Sequence, residues 1–517
     1  MEFEDKQLFA EHIEEPVLEF GHGQTTDHPK DGLFLYGPRR QNAGVSALRV
    51  GVIGTPSGLS LFRDWANEIM GRIQIPPPGP RDKEVRLHLS AFPGLQEAFG
   101  ISLDPDAFTE CEINEKRLET VTRIVNQHEA VSKAADIYVD RVRNHAKNEE
   151  QPIDIWIFVV PEFIFERCRR QSRRQGLALE VGEFIKSQKA KFDAPLFAGA
   201  LDVEGEQVFE DIPDFHRHIK AKLLDLNYTS QLVRETTLKP ENFLNLAGHP
   251  TRRTQDRATI AWNFCSSLFY KTQADPPWKI ANMRPGVCYV GLVFKVLPDH
   301  EQGHACCAAQ MFLSEGDGVV FRGAVGPWKT EDKTFHLSAD AANKLMRMVL
   351  ETYKDKHGQF PSELFIHGRT SFRNDEWDAF CEAAPPETNI VGVRIRSTTG
   401  EMKLFRDGDY PCLRGTALIL DERNAYLWSS GFAPRIGTYI GPETPNPLFV
   451  TILKSSNDAP EMRTVLQDIL GLTKINYNSC NYNDGRPVTI QFADKVGDIL
   501  IMGSAKNAVR QPFKFYI

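Results

Sequence analysis

Six consecutive residues, Ile155-Trp156-Ile157-Phe158-Val159-Val160, carry no charged side chain and no hydroxyl. A strand that is apolar at every position has to be covered on both faces, which points to a parallel strand between helical layers. The run is far too short to span a membrane. A second buried strand is read at Leu48–Gly54, followed by a tight turn over Gly54-Thr55-Pro56-Ser57-Gly58 and helical apolar spacing from Leu59 to Met70. Strand, glycine-rich turn and helix form the opening unit of a doubly wound α/β domain. The complete GxGxxG fingerprint is missing, so a nucleotide-binding metabolic enzyme built on Gly51–Gly58 stands only as an alternative.

The first 45 residues hold many turn formers, with short strands expected at Val17–Phe20 and Leu33–Tyr36, and read as an extended segment lying along a larger body. One long helical pattern runs from Glu115 to His145. A basic helix is expected from Glu162 to Arg174, with Arg167, Arg169, Arg170, Arg173 and Arg174 suiting either solvent or a phosphate backbone. Gln175 to Ile212 has weak periodicity. From Gly286 the character changes: a strand at Val287–Val296 and two more at Cys306–Leu313 and Gly318–Gly323 read as a meander. A helix over Asp340–Lys356 capped by Ser338, a strand at Leu364–His367, a helix over Asn374–Ala384 and a strand at Asn389–Val393 follow. A meander followed by alternating helices and strands fits an RNase H-like α/β fold.

At 517 residues the chain is long enough for several cores. Its net charge of -8 argues against a non-specific nucleic-acid coat protein but allows a local basic channel. Nine scattered cysteines with no CxxC pair argue for a reducing compartment and against a structural zinc site. The opening Met1-Glu2-Phe3-Glu4-Asp5-Lys6 lacks an apolar signal region, so a cytoplasmic protein with no membrane partner is expected.

The stretch from Phe215 to Trp278 carries the candidate chemistry. His216 and Lys220 lie four apart on a helix read from Phe215 to Leu226 and share one face. Gln231 falls in a short strand. On a second helix, Arg257 to Thr272, the polar residues Asn263, Ser267 and Lys271 recur at i, i+4 and i+8. The set offers N–H donors and positive charge without an obvious nucleophile or carboxylate, which suits holding an anion such as phosphate. On spacing alone, two solvated polar helix faces remain the plainer account.

The order of these pieces resembles the short prokaryotic Argonautes, a MID domain joined to a PIWI domain, from about Glu14 onward. The pieces are His216-x3-Lys220, Gln231 and Lys271-x6-Trp278, then Arg284-Pro285-Gly286, Phe365-Ile366-His367-Gly368-Arg369, Pro445-Asn446-Pro447, Leu472 to Asn478, Pro487 to Asp494 and the final Phe515-Tyr516-Ile517. The resemblance implies an N-terminal extended segment (1–45), a Rossmann-like MID domain (46–284) and an RNase H-like PIWI domain (285–517). It implies that His216, Lys220, Gln231 and Lys271 hold the 5′-phosphate of a guide strand, with Asn263 and Ser267 supporting the first nucleotide. It also implies that the Ile517 carboxylate helps hold Mg²⁺ at that phosphate. His at position 216, where many members have Tyr or Arg, favours a 5′-phosphorylated guide RNA.

Cleaving members need several carboxylates for two metal ions. By resemblance, Val293 and Arg369 occupy two of those positions and only Asp494 could match the last. The strand Val287–Val296 contains no acid in any register. The expectation is therefore a PIWI domain that does not cut. Such members recognise complementary single-stranded DNA of plasmids or phages and activate a separate APAZ-containing effector in prokaryotic immunity. The resemblance is nearest to the SPARTA-type systems, in which that partner is a TIR NADase forming a heterodimer that assembles further when activated. A sirtuin-like or nuclease effector, or an active metal-dependent nuclease, are the alternatives.

Overall fold

The computed structural model describes residues 10–40, 44–80, 86–148, 151–169, 214–296, 304–312, 316, 318–327, 336–441, 443–502 and 510–517. Ile155–Val160 is a strand, and every one of its side chains is buried. Alternate residues feed two cores: Ile155, Ile157 and Val159 pack on one side, Trp156, Phe158 and Val160 on the other. Each such side chain contributes on the order of 1.5–3 kcal/mol on burial. The strand sits second from one edge of a four-stranded, wholly parallel sheet. The order is Thr109–Glu112, Val50–Gly54, Ile155–Val160, Ser230–Arg234. The expected doubly wound α/β unit is present.

A ten-stranded sheet dominates the rest. Its three central strands, Val287–Val296, Glu363–Gly368 and Asn389–Ser397, are parallel, and the others join antiparallel. The meander Val287–Val296, His304–Phe312, Gly318–Pro327 lies on one side of that centre. Helices Ala339–His357 and Asn374–Ala383 form one core with the face bearing Cys288, Val290 and Leu292. Ser338 caps the first of them, accepting from Ala341 N at 3.3 Å. On the opposite face Gly291 lies beneath the short helix Val488–Gln491; a β-carbon there would come within 2.1 Å of the Thr489 oxygen.

Residues 10–40 are stitched to this body. Ala10–His12 extends the large sheet by pairing with Thr416–Ile419, and Leu18–Glu19 pairs with Lys279–Ile280. Leu33–Tyr36 is not a strand: Pro29–Tyr36 is a helix. Pro29 at its first position and Asp31, whose N–H is accepted by His28 Nδ1 at 3.4 Å, are helix-start signals that outweigh the apolar run. Gly32 lets that helix sit on the Phe20 ring. The turn after the first parallel strand is shorter than expected, because Thr55 already caps a helix over Pro56–Met70. Glu115 to His145 is two helices, Glu115–Thr122 and Gln127–Asn148, the second begun by Asn126 accepting from Glu129 N. The basic helix covers Glu162–Arg167; Arg170, Arg173, Arg174 and the stretch from Gln175 to Ile212 lie outside the described residues. Among the described residues no helix is long and apolar enough to cross a membrane.

Candidate anion-binding site

The helix Phe215–Leu223 starts at Asp214, whose carboxylate accepts from Arg217 N at 3.1 Å. It presents Lys220 inward, 1% exposed. Lys220 Nζ donates to the Ser230 carbonyl at 2.7 Å and to the main-chain oxygen of Ile517 at 2.5 Å. From the helix Arg257–Thr272, Lys271 is 3% exposed and donates to Gln231 Oε1 at 2.5 Å. Ser267 Oγ lies 2.9 Å from Gln231 Oε1 and 2.8 Å from Asn478 Oδ1, so its single hydrogen serves one of them. The fold therefore brings Lys220, Gln231, Ser267, Lys271 and Ile517 into one network drawn from two helices, a strand, a loop and the last residue of the sequence.

Burial of these amines has an electrostatic consequence. Removal from water pulls Lys220 down to about 7. Lys271 falls well below the ordinary lysine range for the same reason, with the charge of Lys220 adding to it. His216 is open to solvent but ringed by protein. Crowding by the protein disfavours its charged form, and the positive charges of Lys220, Lys271, Lys495 and Arg217 push its pKa further down. Arg217 is itself held by Asp498 at 2.6 Å. Cations gathered this closely destabilise one another, and an anion placed among them would relieve that repulsion.

Asn263 stands at the edge of the network. Its Oδ1 accepts from Cys480 N at 2.8 Å and its Nδ2 donates to Gln255 Oε1 at 3.1 Å. Together with Gln231 and Asn478 it lines a cavity of about 460 Å³ that also takes in Trp65, Arg234 and Arg252. Arg234 stacks on Phe165 at 3.6 Å, and Arg252 donates to Thr237 Oγ1 at 2.9 Å. Sequence reasoning missed Asn478 as a contact of Ser267, although it closes the quoted Leu472-to-Asn478 motif. It also missed Arg252, whose signal is the basic Arg252-Arg253 pair just before the second helix.

Outside this network the sequence-derived positions are less informative. Val293 lies in its strand opposite Ala308, and Arg369 follows the strand Glu363–Gly368, half-buried. The side chains of Val293 and Asp494 fall outside the described residues. At the sheet centre, His367 is buried beside Gly291, accepts or donates through Nδ1 to Thr489 Oγ1 at 2.9 Å, and is held neutral by burial with a pKa of about 3. Among the described residues no group of three or more His, Cys, Asp or Glu is arranged to hold a metal ion. Arg167 donates to Thr122 Oγ1 at 3.2 Å and Arg169 stacks on Phe165 at 4.4 Å, so both are engaged within the chain. The glycine-rich turn does not offer an open helix N-terminus: Thr55 Oγ1 accepts from Gly58 N at 3.1 Å and donates to the buried Glu235 carboxylate at 3.2 Å. A carboxylate beside this turn would repel a nucleotide phosphate bound there.

Comparison with known proteins places the fold. No family model matches the chain, and no curated protein matches it by sequence. Solved structures do match. Clostridium butyricum Argonaute bound to a guide DNA and a 19-mer target DNA superimposes with a TM-score of 0.60 at 14% identity, over 99% of this chain and 55% of that one. Aa-Ago with externally bound siRNA gives 0.55 at 14% identity over 98% and 56%. Drosophila Piwi gives 0.56 at 13% identity over 98% and 56%. The chain thus has an Argonaute-like fold and spans little more than half the length of the structures it matches.

Proposed function

We propose that this chain is a guide-binding, non-cleaving short Argonaute whose MID half holds the 5′-phosphate of a guide RNA. The observation that supports it most is the pair of buried lysines held by adjacent residues of one strand, Lys220 on Ser230 and Ile517 and Lys271 on Gln231, with His216 close enough to feel both charges. In this reading two ammonium groups and the His216 imidazole neutralise and orient the phosphate. The first nucleotide enters the adjoining cavity past Asn263. The Ile517 carboxylate would help hold a Mg²⁺ ion, which would supply further charge neutralisation. In a network otherwise rich in N–H donors, that oxygen, now reached by Lys220, is the chain's ligand best suited to a hard cation.

The rest of the proposal follows from that anchor. The guide pairs with complementary single-stranded DNA of an invader, and pairing reads the sequence while the protein grips the duplex backbone. With no acid on the strand Val287–Val296, the target is held and not cut. The output then passes to a separate APAZ-containing effector, a TIR NADase in the reading favoured by resemblance, within a cytoplasmic heterodimer of prokaryotic immunity that assembles further on activation. The test is to extract nucleic acid from the purified chain and to titrate paired oligonucleotides. Short 5′-phosphorylated RNA should co-purify. Lys220→Ala with Lys271→Ala should weaken binding of a 5′-phosphorylated guide far more than of its 5′-hydroxyl twin. Equal losses would remove the pocket assignment.

A further inference from the structure

One wall of the anion site is the loop that runs from Thr473 to Asp484, and that loop faces two ways. Toward the site, the Tyr477 carbonyl accepts from Ser266 Oγ at 3.2 Å, Asn478 Oδ1 lies 2.8 Å from Ser267 Oγ, and Cys480 N donates to Asn263 Oδ1 at 2.8 Å. These contacts cover the polar stripe of the helix that carries Lys271. Away from the site, the loop rests on residues 10–40. Lys474, with its side chain 0% exposed, pairs with Glu15 at 2.6 Å and donates to the Asp27 carbonyl at 2.5 Å. Tyr482 donates to Asp27 Oδ2 at 2.9 Å, and the Lys474 ammonium lies 4.0 Å over its ring. Trp278 donates to the Lys474 carbonyl at 2.9 Å and packs on Tyr477.

Glu15 is the hub of this outer layer. Its carboxylate also accepts from Arg414 Nε at 2.9 Å, and the Arg414 side chain is 1% exposed. Arg414 in turn donates to Thr473 Oγ1 at 2.8 Å, at the root of the loop. One carboxylate from the N-terminal segment therefore compensates two buried cations, one of which belongs to the loop. Removing one partner of a buried ion pair costs far more than the pair itself contributes, because the other charge stays behind unpaired. A loop carrying an uncompensated Lys474 would shift to reach water, and Asn478 and Cys480 would shift with it.

We propose that the N-terminal segment acts, through Glu15 and Asp27, as a positioning element of the anion site, so that anion binding and docking of residues 10–40 are coupled. The inference rests on the phosphate reading given above. Coupling of this kind is reciprocal: whatever the segment adds to anion affinity, the anion adds to docking of the segment.

The test uses the full chain and two oligonucleotides identical except for a 5′-phosphate or 5′-hydroxyl. Glu15→Gln and Tyr482→Phe are compared with Arg463→Ala. That control breaks an exposed pair between Arg463 and Glu11 of the same segment and a long hydrogen bond to the His12 carbonyl, and touches neither Glu15 nor Asp27. The ratio of affinities for the phosphorylated over the hydroxyl strand should fall at least about five-fold in Glu15→Gln, less in Tyr482→Phe, and stay unchanged in the control. In the wild type, hydrogen exchange of the Ile13 and Phe20 amides, bonded to Gly415 O and Gln24 O, should slow with the phosphorylated strand more than with the hydroxyl strand. Glu15→Gln should abolish that difference. A wild type that ignores the 5′-phosphate would overturn the phosphate reading and this inference with it. A wild type that discriminates, with variants that keep its ratio or lose both affinities equally, would overturn this inference alone.

Discussion

Phosphate binding should be linked to proton uptake by Lys220. Burial holds this amine at about 7 in the free protein, against roughly 10.4 for an ordinary lysine. A phosphate among Lys220, Lys271 and His216 favours the charged amine and raises its pKa toward the ordinary value. A shift of about three units is worth on the order of 4 kcal/mol, an upper bound on what the anion has to supply to recharge the site. At pH 8 the free amine is about one-tenth charged, so binding takes up about 0.9 proton. Above pH 7 the phosphate has already completed its second ionisation, whose pKa is about 6, and adds no slope of its own. Affinity should therefore fall as pH rises from about 7, by up to ten-fold per unit. Without ligand the sign reverses: over the same window the unfolded chain binds more protons than the folded one, so folding stability should rise with pH. The assay is fluorescence anisotropy with paired 5′-phosphoryl and 5′-hydroxyl oligonucleotides at fixed ionic strength. Calorimetry at pH 8 in buffers of different ionisation heat would count the proton. The ratio of the two affinities should drop about twenty-fold between pH 7.5 and 9, and Lys220→Met should make that dependence shallower. A ratio that does not change with pH, with no proton taken up, would refute the reasoning.

Three further outcomes are expected. Guide-loaded protein with complementary labelled DNA should give no cleavage product in Mg²⁺ or Mn²⁺, and a discrete metal-dependent cut would restore the nuclease reading. Gly291→Ala should destabilise by about 1–3 kcal/mol or more, seen as a lower denaturant midpoint, because its β-carbon meets main-chain oxygen and not a movable side chain. Deleting Phe515 to Ile517 removes the oxygen that Lys220 reaches and should weaken binding of the phosphorylated strand, so unchanged affinity would separate the end of the sequence from the pocket.

Much of the fold was legible because it depends on patterns local in the chain. Ile155–Val160 announces its burial by lacking polar side chains, and Arg257–Thr272 is bounded by its periodicity; in the structure Asp256 caps it by accepting from Thr259 N. Helix Pro29–Tyr36 was missed because four apolar residues were weighed above a proline and a first-turn acid. Within the site, the spacing of His216 and Lys220 and of Asn263, Ser267 and Lys271 was visible, but not that both lysines are buried, since a lysine on an amphipathic helix usually points to water. The pairing of Glu15 with Lys474 and Arg414 was beyond reach. Each is an unremarkable charged residue, and only the tertiary fold brings such distant positions together.

The two outermost strands of the large sheet are both three residues long, Ala10–His12 and Arg510–Pro512, and each comes from near one end of the sequence. They act as covers. Thr416–Ile419 and Gly318–Pro327 lie directly inside them. Trimming either end would bare a row of N–H and C=O groups that another chain could pair with, and such edges promote aggregation. Truncated versions of this protein should therefore be checked for self-association before any loss of binding is assigned to the site.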